Sequence, residues 1–357
     1  MTLKQRLQRV CRVIGITLAL VASAAASKTK AAPPPGPPDL LLPGGRSLVY
    51  ERMFSSQRDV KLKRGFWTRL VDFVAGAPDY RNLVRPYSIA VDSRGKIIVT
   101  DPGIPGVHVF DFEKQKYKLI EREGKEAFRA PQCVAVDADD NFYVTDSEAG
   151  KIFVFDADNK FRRTIGSIKG GEGYFKRPTG IAVDSAGGRI FVSDTLRHKI
   201  FVLDKEGSIL KTIGQNGAGD GEFNFPTELR WTGDQLLVVD AMNFRIEAFD
   251  SSGAFQYAVG NPGDNSAAMF RPKGIGLDSE HNLYVVDGLW SIVQVFNREG
   301  QLLYYFGQGG DAPGDFNLPS GLIIDRNNAI YVVDSFNRRV EVFRYHTPAT
   351  SSAGGTQ

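Results

Sequence analysis

Short runs of alternating apolar and polar residues, separated by polar turns, fill the chain from about residue 86 to residue 345. The segment "VVDSFNRRVEVF" (332–343) is typical, because two apolar runs flank a polar break that begins at Asp334 and ends before Arg339. Side chains that alternate with a period of two lie on opposite faces of a β-strand. The pattern therefore predicts many short strands joined by tight turns.

These runs recur with a nearly constant period. Each copy opens with a proline before an apolar run that usually ends in aspartate, as in "RPTGIAVD" (177–184), and the prolines lie 45 to 48 residues apart. The repeat prolines are Pro86, Pro131, Pro178, Pro226, Pro272 and Pro319. A second aspartate closes the second run of each copy, at Asp101, Asp146, Asp194, Asp240, Asp287 and Asp334. A third run follows in every copy and a fourth in most, and six such units predict an all-β, six-bladed β-propeller over residues 61–346.

The copies resemble a known repeat. The unit "LPSGLIIDRNNAIYVVDSFNRRVEVF" (318–343) is similar to the NHL repeat, whose pattern reads P-x-G-I-A-V-D, then G-x-[IL]-Y-V-x-D, then N-x-R-I-x-V-F. The resemblance extends over residues 66 to 345 and implies a six-bladed propeller. It implies no single activity, because NHL propellers serve as protein-binding, RNA-binding, sensor and enzyme domains.

The sixth copy ends after its third strand, near Tyr345. A segment from the N-terminal side must then supply its fourth strand, which leaves no open sheet edge for aggregation. The segment "GFWTRLVDFVAG" (65–76) has suitable apolar character. We expect it to close the last blade.

The first residues have the pattern of an export signal. Four basic residues in "MTLKQRLQRVCR" precede the apolar run "VIGITLALVASAAA", which ends in small side chains. This predicts a signal peptide over residues 1–27, with an uncleaved anchor as the alternative. Cys11 precedes the apolar run, so a lipid anchor is not expected. A Pro-rich spacer (28–60) and a disordered tail (347–357) would flank the propeller, which we expect to be periplasmic or secreted.

Removal of the signal changes the charge and the cysteine count. The whole chain has a net charge of +3, and residues 1–27 carry four positive charges and no negative ones, which leaves −1 for the mature chain. A nucleic-acid-binding surface is therefore not expected. Cys133 then stands alone, so no intramolecular disulfide can form, and we interpret it as a buried packing residue. We expect a monomer with no membrane span after cleavage.

An aspartate and a basic residue five positions later recur in four copies, which favours a structural role. The pairs are Asp146/Lys151, Asp194/Lys199, Asp240/Arg245 and Asp334/Arg339. The carboxylate can accept backbone N–H bonds in the turn, and the basic residue can reach back to it. The alternative is a ring of six carboxylates that binds cations on one face.

The fourth copy breaks the pattern at the innermost strand. Glu228 stands where the other five copies have small residues, and Arg230 stands where they have Ala, Gly or Ile. Residues two apart share one face of a strand, so the two side chains can pair. We hypothesise a polar ligand site in or beside the central channel, with a structural salt bridge as the alternative.

The loops after the second-strand aspartates form a second candidate site, for protein binding. They carry apolar residues at Ile104, Met242, Phe244, Leu289, Trp290 and Phe336. A contiguous exposed apolar patch is typical of a protein contact. The alternative is that some of these side chains pack back onto the blades.

Catalysis is not favoured. Lactonase-like propellers and NHL-like amidating lyases hold a metal on channel carboxylates or histidines, but Glu228 is the only carboxylate at the inner positions compared. The four histidines occupy different repeat positions, so they do not converge easily on a metal. We therefore expect no metal and no cofactor. The favoured function is a non-catalytic binding or scaffold propeller whose partner is another protein, and the alternative is a divergent hydrolase or lyase with a channel metal.

Overall fold

The computed structural model describes residues 35–60, 80–124, 126–168, 173–260 and 268–348. The described residues from Gly36 onward belong to one compact unit. The predicted signal peptide, the segment 65–76 and most of the predicted tail lie outside the described residues. Among the described residues, no helix has the length and apolar character needed to cross a membrane.

The alternating runs form antiparallel four-stranded sheets, which we number as blades in chain order. Blade one contains strands Ile89–Val91, Ile97–Asp101, Gly106–Asp111 and Lys116–Ile120. Blade two contains Pro131–Val136, Phe142–Asp146, Lys151–Phe155 and Phe161–Ile165. Blade three contains Pro178–Asp184, Arg189–Asp194, Lys199–Asp204 and Ile209–Ile213. In each blade the strands are ordered from the first, innermost one to the fourth.

The remaining blades repeat this order. Blade four contains Pro226–Trp231, Gln235–Asp240, Arg245–Asp250 and Phe255–Val259. Blade five contains Pro272–Leu277, Leu283–Asp287, Ile292–Phe296 and Leu302–Phe306. Blade six begins with Pro319–Ile324, Ala329–Asp334 and Arg339–His346. The other described elements are a small pair of strands, Arg122–Glu123 and Glu126–Ala127, and three short 3-10 helices, Pro43–Gly45, Gln57–Val60 and Thr195–Arg197.

The fourth strand of blade six comes from the N-terminal side, but from a different segment than predicted. Arg46–Phe54 pairs antiparallel with Arg339–His346, and Leu40–Leu42 adds a fifth strand outside it. The predicted spacer 28–60 therefore contains the closing strand. The prediction that residues 65–76 form the fourth strand of blade six is wrong, because Arg46–Phe54 holds that position. Leu48 packs in the core between blades five and six, and Phe54 packs between blades six and one.

The six blades form a ring. The first strands of successive blades contact one another, and the Gly321 N–H of blade six donates to the Tyr87 carbonyl oxygen of blade one at 2.8 Å. Six apolar clusters form the core, one between each pair of neighbouring blades. The residue three positions before each repeat proline is a buried member of one cluster: Leu83, Phe128, Phe175, Phe223, Met269 and Phe316.

One end of the ring carries two sets of loops, and we call it the loop face. Pro178 pairs with Asp194, so each first strand begins where the second strand ends. The segments before the repeat prolines and the loops after the second-strand aspartates therefore lie together. The Asp101 carboxylate accepts the N–H groups of Val84 and Arg85 at 2.6 and 2.9 Å. Equivalent bonds are accepted by Asp146, Asp194, Asp240, Asp287 and Asp334.

Candidate functional site

The channel candidate is a pair on the first strand of blade four, in which Glu228 is buried and Arg230 is partly buried. Nη2 of Arg230 lies 3.5 Å from Oε1 of Glu228. The Arg230 guanidinium also donates to the carbonyl oxygens of Ile275 in blade five and Leu322 in blade six, at 3.0 to 3.2 Å. The Cys133 thiol of blade two donates to Oε2 of Glu228 at 2.9 Å. These contacts connect blades two, four, five and six across the axis.

Burial dominates the electrostatics of this group. It raises the pKa of Glu228, although the charge of Arg230 opposes the shift. Burial also lowers the pKa of Arg230, which the charge of Glu228 opposes. The pKa of Cys133 is raised well above its usual value by burial and by the nearby Glu228 carboxylate. Cys133 is therefore a neutral thiol and a poor nucleophile at neutral pH.

The space beside this pair is small. Arg230 and Trp231 line a cavity of about 110 Å³ near the axis. A water molecule occupies about 30 Å³ in the liquid, so the cavity has room for only a few waters. The arrangement thus supplies the interblade bonds expected of a structural salt bridge. Ligand binding by Glu228 and Arg230 stays a prediction.

The loop-face candidates divide into two groups. Met242, Leu289, Trp290 and Phe336 are 52%, 57%, 56% and 55% exposed. Ile104 and Phe244 are only partly exposed. The alternative that some of these side chains pack back onto the blades thus fits Ile104 and Phe244. The first four remain available for a contact.

Trp290 has the most defined setting of the exposed group. Its indole stacks on the Phe270 ring, with ring centroids 5.1 Å apart and planes 16° from parallel. The backbone N–H of Trp290 lies 3.3 Å from the Asp287 carboxylate, which holds the loop at the end of the second strand. An aromatic side chain that is fixed by its neighbours loses little conformational entropy when it binds a partner.

Other exposed residues of the loop face were not among the predicted site residues. Val84, Tyr174 and Phe225 are each more than a third exposed. The edge of the Phe225 ring meets the His198 ring, with centroids 4.8 Å apart. The sequence could have pointed to Phe225. It immediately precedes the repeat proline Pro226, and three other copies have arginine at that position.

The histidines and carboxylates do not assemble a metal centre within the ranges described. In that part of the chain, no group of three or more His, Cys, Asp or Glu residues could hold a metal ion. His108 is buried, with Nδ1 2.8 Å from the Tyr117 hydroxyl and Nε2 3.5 Å from the Asp101 carboxylate. It therefore packs within blade one, away from the other histidines.

Family models agree with this architecture. The NHL repeat matches residues 128–155, and the family described as DUF5128, 6-bladed beta-propeller, matches residues 181–229. Six sheets in a ring accompany these two matches. This chain is a six-bladed β-propeller with NHL-type repeats. No curated protein matches the propeller by sequence.

Solved structures with the same fold have varied roles. An auxiliary nutrient binding protein from Bacteroides thetaiotaomicron is 14% identical, with a TM-score of 0.58 and coverage of 74% of this chain and 70% of that one. A protein of unknown function from the same organism is 15% identical, with a TM-score of 0.61 and the same coverage. A catalytically inactive virginiamycin B lyase from Staphylococcus aureus, solved with quinupristin, is 15% identical, with a TM-score of 0.53 and coverage of 73% and 94%. At this identity the likeness concerns the fold alone.

Proposed function

We propose that this propeller is an exported, non-catalytic binding module that engages another protein through its loop face. The observation that carries the proposal is the set of exposed apolar side chains at that one end of the ring, centred on Leu289 and Trp290. Large exposed apolar patches are uncommon on monomeric soluble proteins and mark contact surfaces. The fold shared with nutrient-binding proteins is consistent with a binding role.

Export is part of the same proposal. It rests on the basic and apolar pattern of residues 1–27. Cleavage leaves a chain with a net charge of −1, which does not suit nucleic acid. A protein of the periplasm or the medium is the partner that agrees with this location.

The test uses the mature chain, residues 28–357, as bait in an envelope extract of the source organism. A captured partner is then purified and its dissociation constant measured. We expect Leu289→Ser/Trp290→Ser to weaken binding at least tenfold, since a buried aromatic anchor contributes about 2 kcal/mol or more to an interface. The readout is direct affinity, with the melting temperature as a check on folding.

A matched control is available on the outer strands. Leu210 and Tyr305 are 56% and 60% exposed, but they lie on the fourth strands of blades three and five. Leu210→Ser/Tyr305→Ser removes a similar apolar area away from the loop face and should leave the affinity unchanged. Equal affinities for the wild-type and Leu289/Trp290 baits would refute the loop-face proposal.

A hydrolase or lyase with a channel metal is the second candidate, and the fold shared with the Staphylococcus aureus lyase favours it. The carboxylate of Glu228 already bonds to Cys133 and Arg230, which leaves little coordinating capacity. Metal analysis of the purified chain separates the two functions. Stoichiometric zinc or calcium that Glu228→Gln removes would favour the enzyme.

A further inference from the structure

A second pocket opens on the loop face where blades five, six and one meet, and we call it the mouth pocket. Its volume is about 330 Å³. Three cations line it, Arg85, Arg271 and Lys273, together with Tyr87 and Phe336. No aspartate or glutamate is among the described residues that line it. The mouth pocket is thus a cationic cavity with an aromatic edge.

Blade five lacks, at the back of this pocket, a pair of side chains that blade three has. In blade three, the buried Thr195 hydroxyl donates to the Pro226 carbonyl oxygen at 2.8 Å and bonds to the Thr179 hydroxyl at 2.7 Å. This pair fills the junction with blade four. At the equivalent positions blade five has Gly288, which follows the second-strand aspartate, and Lys273, which follows the repeat proline.

The position that a side chain at residue 288 would occupy can be located from its neighbours. A side-chain carbon on Gly288 would lie 3.1 Å from the Pro319 carbonyl oxygen and 3.4 Å from Cγ of Lys273. Pro319 is the counterpart of Pro226 in the next blade, so the hydroxyl that closes the junction after blade three has no equivalent here. A side chain here would crowd the Pro319 carbonyl oxygen and the stem of Lys273, so glycine keeps the back of the mouth pocket free of a side chain.

The cations of this pocket lack counterions among the described residues. The side chains of Arg85, Arg271 and Lys273 form no hydrogen bond or ion pair within the described residues. Nζ of Lys273 lies 5.6 Å from the centre of the Tyr87 ring. Burial lowers the pKa of Lys273 to about 8, and the positive charge of Arg271 adds to the shift. An anion in the pocket would relieve this repulsion.

We propose that the mouth pocket binds a small organic anion, with its carboxylate or phosphate group on Arg271, Lys273 and Arg85 and its apolar part against Phe336. A guanidinium offers paired N–H donors that match the oxygens of either group. The volume lies at the lower end of the range for small-molecule sites. The site lies beside the Leu289/Trp290 surface and shares Phe336 with the exposed loop-face group. Its anion contacts are Arg271, Lys273 and Arg85, so it does not depend on the proposed protein contact.

The experiment measures probe binding to the mature chain by calorimetry at low salt and neutral pH. The probes are phenyl phosphate, phenylacetate, inorganic phosphate and benzyl alcohol. We expect both aromatic anions to bind, inorganic phosphate to bind at least tenfold more weakly than phenyl phosphate, and benzyl alcohol not to bind. Higher salt should weaken binding, because Arg85 and Arg271 are exposed and salt screens their charges.

Two independent variants locate the site. Arg271→Gln/Lys273→Gln removes charge, and Gly288→Thr fills the back of the pocket with the residue that blade three uses; each should reduce affinity for phenyl phosphate at least tenfold. Lys176→Gln is the control, since Lys176 is an exposed cation of the loop face in blade three. Melting temperatures show whether each variant is folded.

The outcomes decide between the alternatives. Affinity that is lost in both pocket variants and kept in the control supports the proposal. No binding of either aromatic anion, or equal affinity in wild-type and both pocket variants, overturns it. Equal affinity for inorganic and phenyl phosphate overturns the apolar part of the site. A folded chain that loses binding only with Lys176→Gln places the anion elsewhere on the loop face.

Discussion

Blades five and six are neighbouring copies of one unit, yet they place positive charge in opposite ways. In blade six, Arg339 is buried, and its Nε lies 2.9 Å from the Asp334 carboxylate and 2.8 Å from the Glu341 carboxylate. In blade five, Ile292 replaces this arginine, and Arg271 and Lys273 at the mouth of the ring have no ion pair among the described residues. The same fold thus uses one set of cations for structure and leaves another for solvent or a ligand.

The two groups of cations differ in whether hydrogen-bond acceptors lie close to them. Arg339 also donates to the carbonyl oxygens of Asp311, Ala312 and Asp315, at 2.8 to 2.9 Å, so it holds the loop that enters blade six. Arg271 and Lys273 have no such acceptors among the described residues. A buried cation needs compensation of this kind, whereas a cation at a pocket mouth can remain hydrated until an anion arrives.

The largest expected effect on stability comes from removal of Arg339, the cation that pairs with Asp334 and Glu341. Arg339→Met should lower the free energy of unfolding by about 3–5 kcal/mol, because it leaves the buried Asp334 and Glu341 carboxylates without their counterion. Arg271→Met should change it by less than about 1 kcal/mol. Urea unfolding of both variants measures the contrast. Similar losses for the two arginines would show that Arg271 is also a structural residue.

Removal of the unpaired charge of Lys273 in blade five should raise the free energy of unfolding, whereas removal of Arg339 should lower it. The pKa of Lys273 is lowered from 10.5 to about 8, so the folded chain binds this proton more weakly than the unfolded chain. Its contribution to stability is present above pH 10.5 and is lost as the pH falls through about 8. Lys273→Met should therefore raise the free energy of unfolding at pH 7 by about 1–3 kcal/mol.

A pH series of urea unfolding tests this sign. The wild-type chain should gain stability from Lys273 between pH 8 and 10.5, and the Lys273→Met chain should lack that gain. Lys176→Met, at an exposed position of the same face, serves as the control. A loss of stability at pH 7 in Lys273→Met would contradict the unpaired state of this lysine.

The smallest expected effect on stability comes from a change at Glu341, a buried residue on the third strand of blade six. Burial raises the pKa of Glu341 to about 7, and Gln294 holds the equivalent position in blade five. The stability that Glu341 contributes is full below pH 4.5 and is lost as the pH rises through about 7. Glu341→Gln should flatten the stability profile in this window by about 1 kcal/mol or more, because glutamine takes up no proton there.

Thermal unfolding at several pH values measures the flattening. Glu299→Gln is the control, because Glu299 is exposed in a turn of blade five. An unchanged slope between pH 4.5 and 7 in Glu341→Gln would mean that Glu341 is ionised throughout this range in the folded chain.

Local patterns were sufficient for the blades. The alternation in each run predicts a strand, and the constant spacing of the repeat prolines predicts six similar units, because the strands of a blade lie within one copy of the repeat in blades one to five. The role of the aspartates was also predictable. A carboxylate at a strand end caps nearby N–H groups wherever it occurs, as Asp101 does.

Two features could not be predicted from the pattern within one repeat. The closing strand is "RSLVYERMF" (46–54), since Tyr50 can donate to Glu341 at 2.8 Å and Glu51 pairs with Arg344 in that register. The mouth pocket lies where Gly288 carries no side chain, opposite a carbonyl oxygen of the next blade. Both features depend on residues that are far apart in the chain or in different blades.

The all-β class, the number of blades and the position of the loop face follow from the sequence alone, because strands, turns and repeat length are encoded within about 46 residues. The identity of the N-terminal segment that closes the ring, the exposure of the loop-face side chains and the lack of partners for certain cations emerge only in the folded ring. Those outcomes depend on distances between neighbouring blades, and a pattern within one repeat carries no information about the residue that packs against it from the next.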